Sequence, residues 1–250
     1  MRLIGAEELR ARLPWAALEA ALERMFREGC EAPLRHRHAL PDGATLLLMP
    51  AWNARFSGVK VVQVVPANAA RGLPAVQASY LLSDAATGQP LALLDGGELT
   101  DRRTAAASTL AGRFLARPDS SRLLVLGSGR VASALAEAWC ARFPIRRVAI
   151  WSRDPANAAR LAGRLAAHGL PAEPVGTPGP RGFDIVSAAT LSEAPLVRGA
   201  EVEAGTHVDL VGAFRPHMRE SDGALLARAT VVVDTRAGGL AEAGDMVRAI

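Results

Sequence analysis

The run Leu124-Val125-Leu126-Gly127-Ser128-Gly129-Arg130-Val131-Ala132 constrains the fold more than any other stretch of the 250 residues. A short apolar strand passes through Gly-x-Gly into a segment, 130–143, with the composition and spacing of a helix. In such a turn the first glycine permits a tight bend, the second lets a pyrophosphate approach the backbone, and a small third residue lets helix and strand pack closely. Gly127, Gly129 and Ala132 take those places, and Ser128, Arg130 and Val131 complete a loop whose unpaired amides and helix dipole would hold phosphates. A second strand at 147–151 and a second helix at 155–168 follow. That order calls for parallel pairing, because each helix must carry the chain back across the sheet. Apolar runs at 185–189, 207–211 and 231–234 are expected to add strands, while 169–182, rich in proline and glycine, reads as a loop or a reduced crossover.

The first hundred residues are patterned differently. Leu13, Trp15, Leu18, Leu22, Met25 and Phe26 share one face of a helix that Gly29 ends. Runs at 45–49, 58–65, 75–83 and 91–95, separated by Pro50, Pro66, 72–74 and 84–88, predict an antiparallel or mixed strand meander. Within 75–83, Val76, Ala78, Tyr80 and Leu82 are expected on a better-buried face. The alanine-rich 104–115 predicts a helix, with Thr100 as a capping candidate and Arg103 at its start, where free amides and a guanidinium together would favour a carboxylate. The expected fold is α/β: an α+β domain at 1–115, then a Rossmann-type doubly wound domain at 116–240.

Charge narrows the function classes. With 29 Lys+Arg against 25 Asp+Glu, the net charge of +4 is too slight to demand nucleic acid or an anionic membrane, and neither partner is expected. No apolar run approaches a membrane span, Glu7 and Glu8 interrupt any signal-like start, and Cys30 and Cys140 read as free, mostly buried thiols, so a cytoplasmic location is expected. Lys60 is the only lysine, every other cation of the 29 being arginine, and it interrupts the apolar strand Val59 to Val62. A compact ammonium there suggests substrate binding; the plain alternative is an edge-strand lysine that discourages sheet pairing. Arg37 and Arg103 are the other cations considered for a small anionic substrate. His36 and His38 lack accompanying ligands, so no metal is expected. No serine stands in a nucleophile motif.

Dinucleotide folds often end the second strand on an acid that binds the adenosine ribose. Here the place carries Trp151 or Ser152, followed by Arg153. Ser152 and Arg153 favour a 2′-phosphate, hence NADPH, with NADH as the alternative. Asp154 before Pro155 reads equally as a helix cap, leaving Arg153 as surface charge.

In these motifs the chain resembles the ornithine cyclodeaminase/mu-crystallin family. The resembling segments run in order: 43–50, Gly58-Val59-Lys60, 71–74 with Gln77, 91–96, Leu99-Thr100 with 103–108, the Gly127/Gly129 loop, Val211-Gly212-Ala213, and Val233-Asp234 with Glu242-Ala243-Gly244-Asp245. The resemblance implies a substrate and dimerisation domain joined to a Rossmann-type domain, with the active site in the cleft between them. It implies a homodimer, with Arg37, Lys60 and Arg103 around a substrate carboxylate and Lys60 as the catalytic candidate. Phe214 stands where the cyclodeaminases carry a proton-handling aspartate. The implied activity is therefore reduction of a cyclic ketimine such as Δ1-pyrroline-2-carboxylate to the cyclic L-amino acid. Ornithine cyclodeamination, alanine dehydrogenation and a non-catalytic, crystallin-like NADPH or small-ligand binder are the alternatives. Family members usually continue past 242–245 with helices that return to the first domain, so 241–250 reads as the truncated start of such a segment.

Overall fold

Two sheets, one of six strands and one of five, organise the chain. The computed structural model describes residues 1–250, the side chain of Ala69 apart. It divides into two units, Met1–Arg103 and Thr104–Ile250.

The first unit contains β1 (Arg2–Ile4), α1 (Ala6–Arg12), α2 (Trp15–Glu28), β2 (His36–Ala39), β3 (Thr45–Trp52), β4 (Phe56–Val64), β5 (Val76–Asp84), β6 (Pro90–Asp95) and the beginning of α3 (Gly96–Leu115). The sheet order is β1-β6-β5-β4-β3-β2. It is mixed: β1 runs parallel to β6 and the other pairs are antiparallel. Gly29, at φ +80°, closes α2 by donating its amide to Met25. Pro50 does not end β3, contrary to expectation. Trp52 exchanges amide bonds with Glu31, so the amides of even-numbered β3 residues point to the β2 side, and β2 pairs no further than His36 with Leu48. Pro50 therefore withholds a donor where no ladder partner stands.

Helix α3 begins eight residues before the expected 104. Asp95 caps it, accepting from the Glu98 amide at 2.7 Å. Thr100 is no cap: its hydroxyl donates back to the Gly96 carbonyl at 2.6 Å. Arg103 consequently lies within the helix, away from its free amides. The early start is held by tertiary contacts. Arg10 forks onto the buried Glu98 carboxylate, both bonds at 2.9 Å. Buried Arg102 donates twice to the Leu13 carbonyl and stacks 3.9 Å from the centre of the Trp15 ring.

The second unit continues with β7 (Arg122–Leu126), α4 (Arg130–Arg142), β8 (Arg147–Trp151), α5 (Pro155–Ala167), β9 (Ala172–Pro174), β10 (Ile185–Ala188), β11 (His207–Leu210), α6 (Gly223–Arg228), α7 (Arg236–Ala241) and α8 (Gly244–Val247). All neighbours in the order β11-β10-β7-β8-β9 are parallel. Counted within this unit the order is 5-4-1-2-3, which places the topological switch point between β7 and β10. Leu123 to Leu126, Ile185 and Val186 have no exposed surface, as expected of central parallel strands covered on both faces. On the face carrying Leu124, Leu126, Ala149, Val186 and Ala188, the cover comes from Phe183, Val197, Val202 and Leu225. Those residues belong to the crossover segments and α6, so much of this cover is loop where long helices are usual.

Three further expectations are corrected. Residues 231–234 form no strand; their valines are partly exposed and pair with no ladder. Cys30 is exposed rather than buried. The even-numbered side of β5 is not consistently the better buried, since Val76 at the strand's end is 57% exposed.

Candidate active site

Lys60 sits on β4, an interior strand flanked by β3 and β5. The edge-guard explanation for this lysine therefore fails. The register aligns Met49, Lys60, Tyr80 and Leu94 in one cross-strand row. Arg35, one residue before β2, falls on the continuation of that row, whereas Arg37 pairs with Leu47 two rows along, on the same face. Lys60 donates to the Thr100 hydroxyl at 3.3 Å. The Thr100 bond back to Gly96, unhelpful as a cap, thus orients an acceptor toward the ammonium. Burial, then Arg103, then Arg35 draw the Lys60 pKa down to about 8. Of the two arginines paired with Lys60 on sequence grounds, Arg103 contributes to this positive group and Arg37 does not. Arg37 is exposed, and it is Arg35 that acts on Lys60 beside Arg103. Residue spacing alone could not separate the two arginines, which share a strand face; the β2–β3 register separates them.

In the second unit the glycine loop leaves β7 at the switch point. Gly127 adopts φ +120°, and a Cβ there would lie 2.6 Å from the Ala189 carbonyl oxygen that follows β10. Gly129 begins α4 in extended conformation with no side-chain cap, and a Cβ there would meet no protein atom. Ala132 is fully buried at the helix–strand contact. Ser128 donates to the Ser152 hydroxyl at 3.0 Å, tying the glycine loop to the turn after β8. Trp151 packs partly buried against the core, Arg153 is exposed, and Asp154 caps α5 through the Ala156 amide at 3.0 Å. These residues fit a dinucleotide: a tight turn, open backbone at Gly129 and a helix start whose N-cap residue carries no capping side chain.

One carboxylate at the same edge of this sheet was not foreseen. Glu220, fully buried, accepts on one oxygen from the Thr190 amide and hydroxyl at 2.6 and 2.7 Å, and on the other from the Gly212 amide at 2.7 Å. A Cβ on Gly212 would collide with the Thr190 backbone and with Glu220, which explains glycine there. In sequence, Arg219-Glu220 looks like ordinary surface charge. Only the packing of three distant segments reveals it.

A Rossmann-like parallel sheet with a glycine loop at its switch point, carried in one chain with an α+β unit, defines an NAD(P)-dependent oxidoreductase architecture. The chain belongs to the ornithine cyclodeaminase/mu-crystallin family, whose description matches residues 5–248. It is 40% identical over 243 residues to the Δ1-pyrroline-2-carboxylate reductase of Paracoccus denitrificans, covering 89% of this chain and 75% of that protein. Among solved structures, the Thermococcus litoralis Δ1-pyrroline-2-carboxylate reductase in complex with NADH and L-proline superposes with a TM-score of 0.93 at 32% identity, over 100% of this chain and 80% of that one. An archaeal alanine dehydrogenase dimer with bound NAD gives 0.90 at 28% identity, over 99% and 78%.

Proposed function

We propose that this protein reduces a cyclic ketimine carrying an α-carboxylate, Δ1-pyrroline-2-carboxylate or its six-membered homologue, to the cyclic L-amino acid with NAD(P)H. The observation that carries the reading is Lys60: a half-buried ammonium on an interior strand, held by Thr100, with Arg103 and Arg35 acting on it. Positive charge gathered in this way suits a small carboxylate, which each cation can bind by a charge-assisted hydrogen bond. The first unit is the substrate-binding and dimerisation domain and the second the cofactor domain. When bound, the dinucleotide supplies the hydride. Lys60 and Arg103, with Arg35 where Arg37 had been expected, fix the carboxylate and so orient the adjacent imine carbon. The lowered Lys60 pKa also suits it to release a proton near neutral pH.

Gly127, Ser128, Gly129, Arg130, Val131 and Ala132 form the pyrophosphate loop, and Ser152 with exposed Arg153 receives the adenosine ribose. No acid stands at Trp151–Ser152 to select an unphosphorylated ribose, which favours NADPH over NADH. Phe214 cannot carry a proton, so the site is equipped for imine reduction rather than for deamination of ornithine.

The assembly is a homodimer. On the sheet face opposite Lys60, the register aligns Leu3, Leu93, Leu81, Val59 and Pro50 in an apolar row. Leu3 at one end is 72% exposed. A row of this kind suits an isologous contact with a second copy.

The test is turnover of Δ1-pyrroline-2-carboxylate with each reduced cofactor, alongside ornithine with NAD. Cofactor oxidation by the imine, faster at low NADPH than at low NADH, is expected, and Arg153→Ala should remove most of that difference. Stoichiometric ammonia from ornithine would overturn the reductase reading, and NADPH binding without any imine turnover would leave a binding protein.

A further inference from the structure

At the carboxyl edge of the second sheet, three segments distant in sequence converge on Glu220. Thr190 follows β10, Gly212 follows β11, and Asp245 belongs to α8. The Glu220 carboxylate takes the three bonds from Thr190 and Gly212 already described. Its own backbone amide donates to Asp245 at 3.0 Å, and the Ser221 amide and hydroxyl donate to the same Asp245 oxygen at 2.7 and 2.9 Å. Asp245 thus fixes the backbone from which Glu220 reaches, and Glu220 fixes the two loops. The loop after β10 borders the switch-point crevice, since Ala189, next to Thr190, is the residue whose carbonyl abuts Gly127, and Glu220 ties the loop after β11 to it. We propose that Glu220 is a positioning residue that holds the post-β10 and post-β11 loops in the arrangement required to receive the reduced dinucleotide. This inference rests on the cofactor reading above.

The Thr190 and Gly212 amides can only donate, one to each oxygen, and the ionised acid is the form that accepts all three bonds as they stand. Burial opposes that charge, and the Thr190 and Gly212 bonds offset burial only in part. The charged group facing Glu220 is Asp245, which adds repulsion, and the Glu220 pKa is pushed up to about 7. A proton on the oxygen facing Gly212 meets an amide N–H, and one on the other oxygen is accommodated only by reversing the Thr190 hydroxyl beside the Thr190 amide, so acidification loosens the loops. Glu220→Gln, nearly isosteric, places an amide NH2 against one of the same donors at every pH.

The experiment follows the 15N-labelled full chain from pH 5.5 to 8.5 and, in parallel, titrates NADH and NADPH by fluorescence. In the wild type the Thr190 and Gly212 amide resonances should move together with one midpoint near neutrality, and cofactor affinity should fall below it. In Glu220→Gln both amides should be insensitive to pH, affinity should drop about tenfold and lose its pH dependence, and Glu220→Asp should recover part of the loss. Amides that do not titrate in the wild type, or a Glu220→Gln variant with wild-type affinity and pH profile, would overturn the proposal. Should Glu220→Gln fail to fold, Thr190→Val removes one donor alone; a two- to threefold loss of affinity with a shifted amide midpoint supports the role, and an unchanged midpoint overturns it. Amides that titrate in a chain binding neither cofactor would refute the cofactor reading and, with it, the purpose assigned to Glu220, while leaving the loop contact demonstrated.

Discussion

Lys60 shows how little a side chain's identity says until its neighbours are known. An ammonium on an apolar strand is costly to bury, and here burial is compounded by Arg103 and Arg35. Lys60→Ala should lower kcat/KM for the imine roughly 10²-fold, about 3 kcal/mol of lost transition-state stabilisation. Lys60→Arg should rescue only partly, because a planar fork does not occupy the place of a compact donor. The sign of the pH dependence follows from the lowered pKa: the ammonium is present below about 8 and lost above it, so imine affinity should weaken as pH rises through 8. In Lys60→Arg that decline should disappear, since the guanidinium stays charged. A wild-type kcat/KM in Lys60→Ala, measured by initial rates at subsaturating imine, would remove the lysine from the site.

The parallel sheet depends on a carboxylate where β10 begins. Asp184 is 5% exposed and accepts from the Ser121 and Arg122 amides, each at 3.0 Å, and from Arg117 at 2.7 Å. It thereby ties the entry of β7 to that of its neighbour across the switch point. Burial alone would raise its pKa, yet the Arg122 side chain and the two backbone donors outweigh it and hold the acid at about 2. Its folded pKa lies below the unfolded one, so its stabilisation is complete above about pH 4 and is lost as pH falls toward 2. Asp184→Asn should cost about 2 kcal/mol at pH 7, a fall in Tm of roughly 5 °C, and should flatten the acid limb of stability against pH. Thermal melts at pH 7 and pH 3 check both. An unchanged Tm at pH 7 would mean that the amides and arginines are satisfied without this carboxylate.

For the whole molecule, the apolar row across the first sheet predicts association. The chain of 26.2 kDa should run at twice that mass in light scattering at micromolar concentration. Leu81→Glu, in the middle of the row, should shift it to the monomer while leaving the circular dichroism unchanged, because a carboxylate in an isologous contact meets its own copy. A wild-type monomer at these concentrations would refute the assignment. No helix among the described residues is long and apolar enough to cross a membrane.

The dinucleotide half of the protein is legible in the sequence because its signals are local. A strand entering Gly127-Ser128-Gly129, small Ala132 one turn on, and alternating periods of two and 3.6 all lie within a few residues of one another. The signals failed where the outcome depends on a distant partner. Residues 231–234 have a strand's composition, but a strand exists only against a neighbour, and none pairs with them. Helix α3 starts early because Asp95, Trp15 and Leu13 hold its first turns, and this moved Thr100 and Arg103 from a helix end to a helix flank. Arg35 and Arg37 are equivalent in strand parity, and only the pairing of β2 with β3, continued to β4, sets Arg35 in the row of Lys60. Glu220 gave no pattern at all, since its donors lie 30 and eight residues away. Periodicity is written along the chain, whereas register and the meeting of charges are decided between segments that touch only after folding.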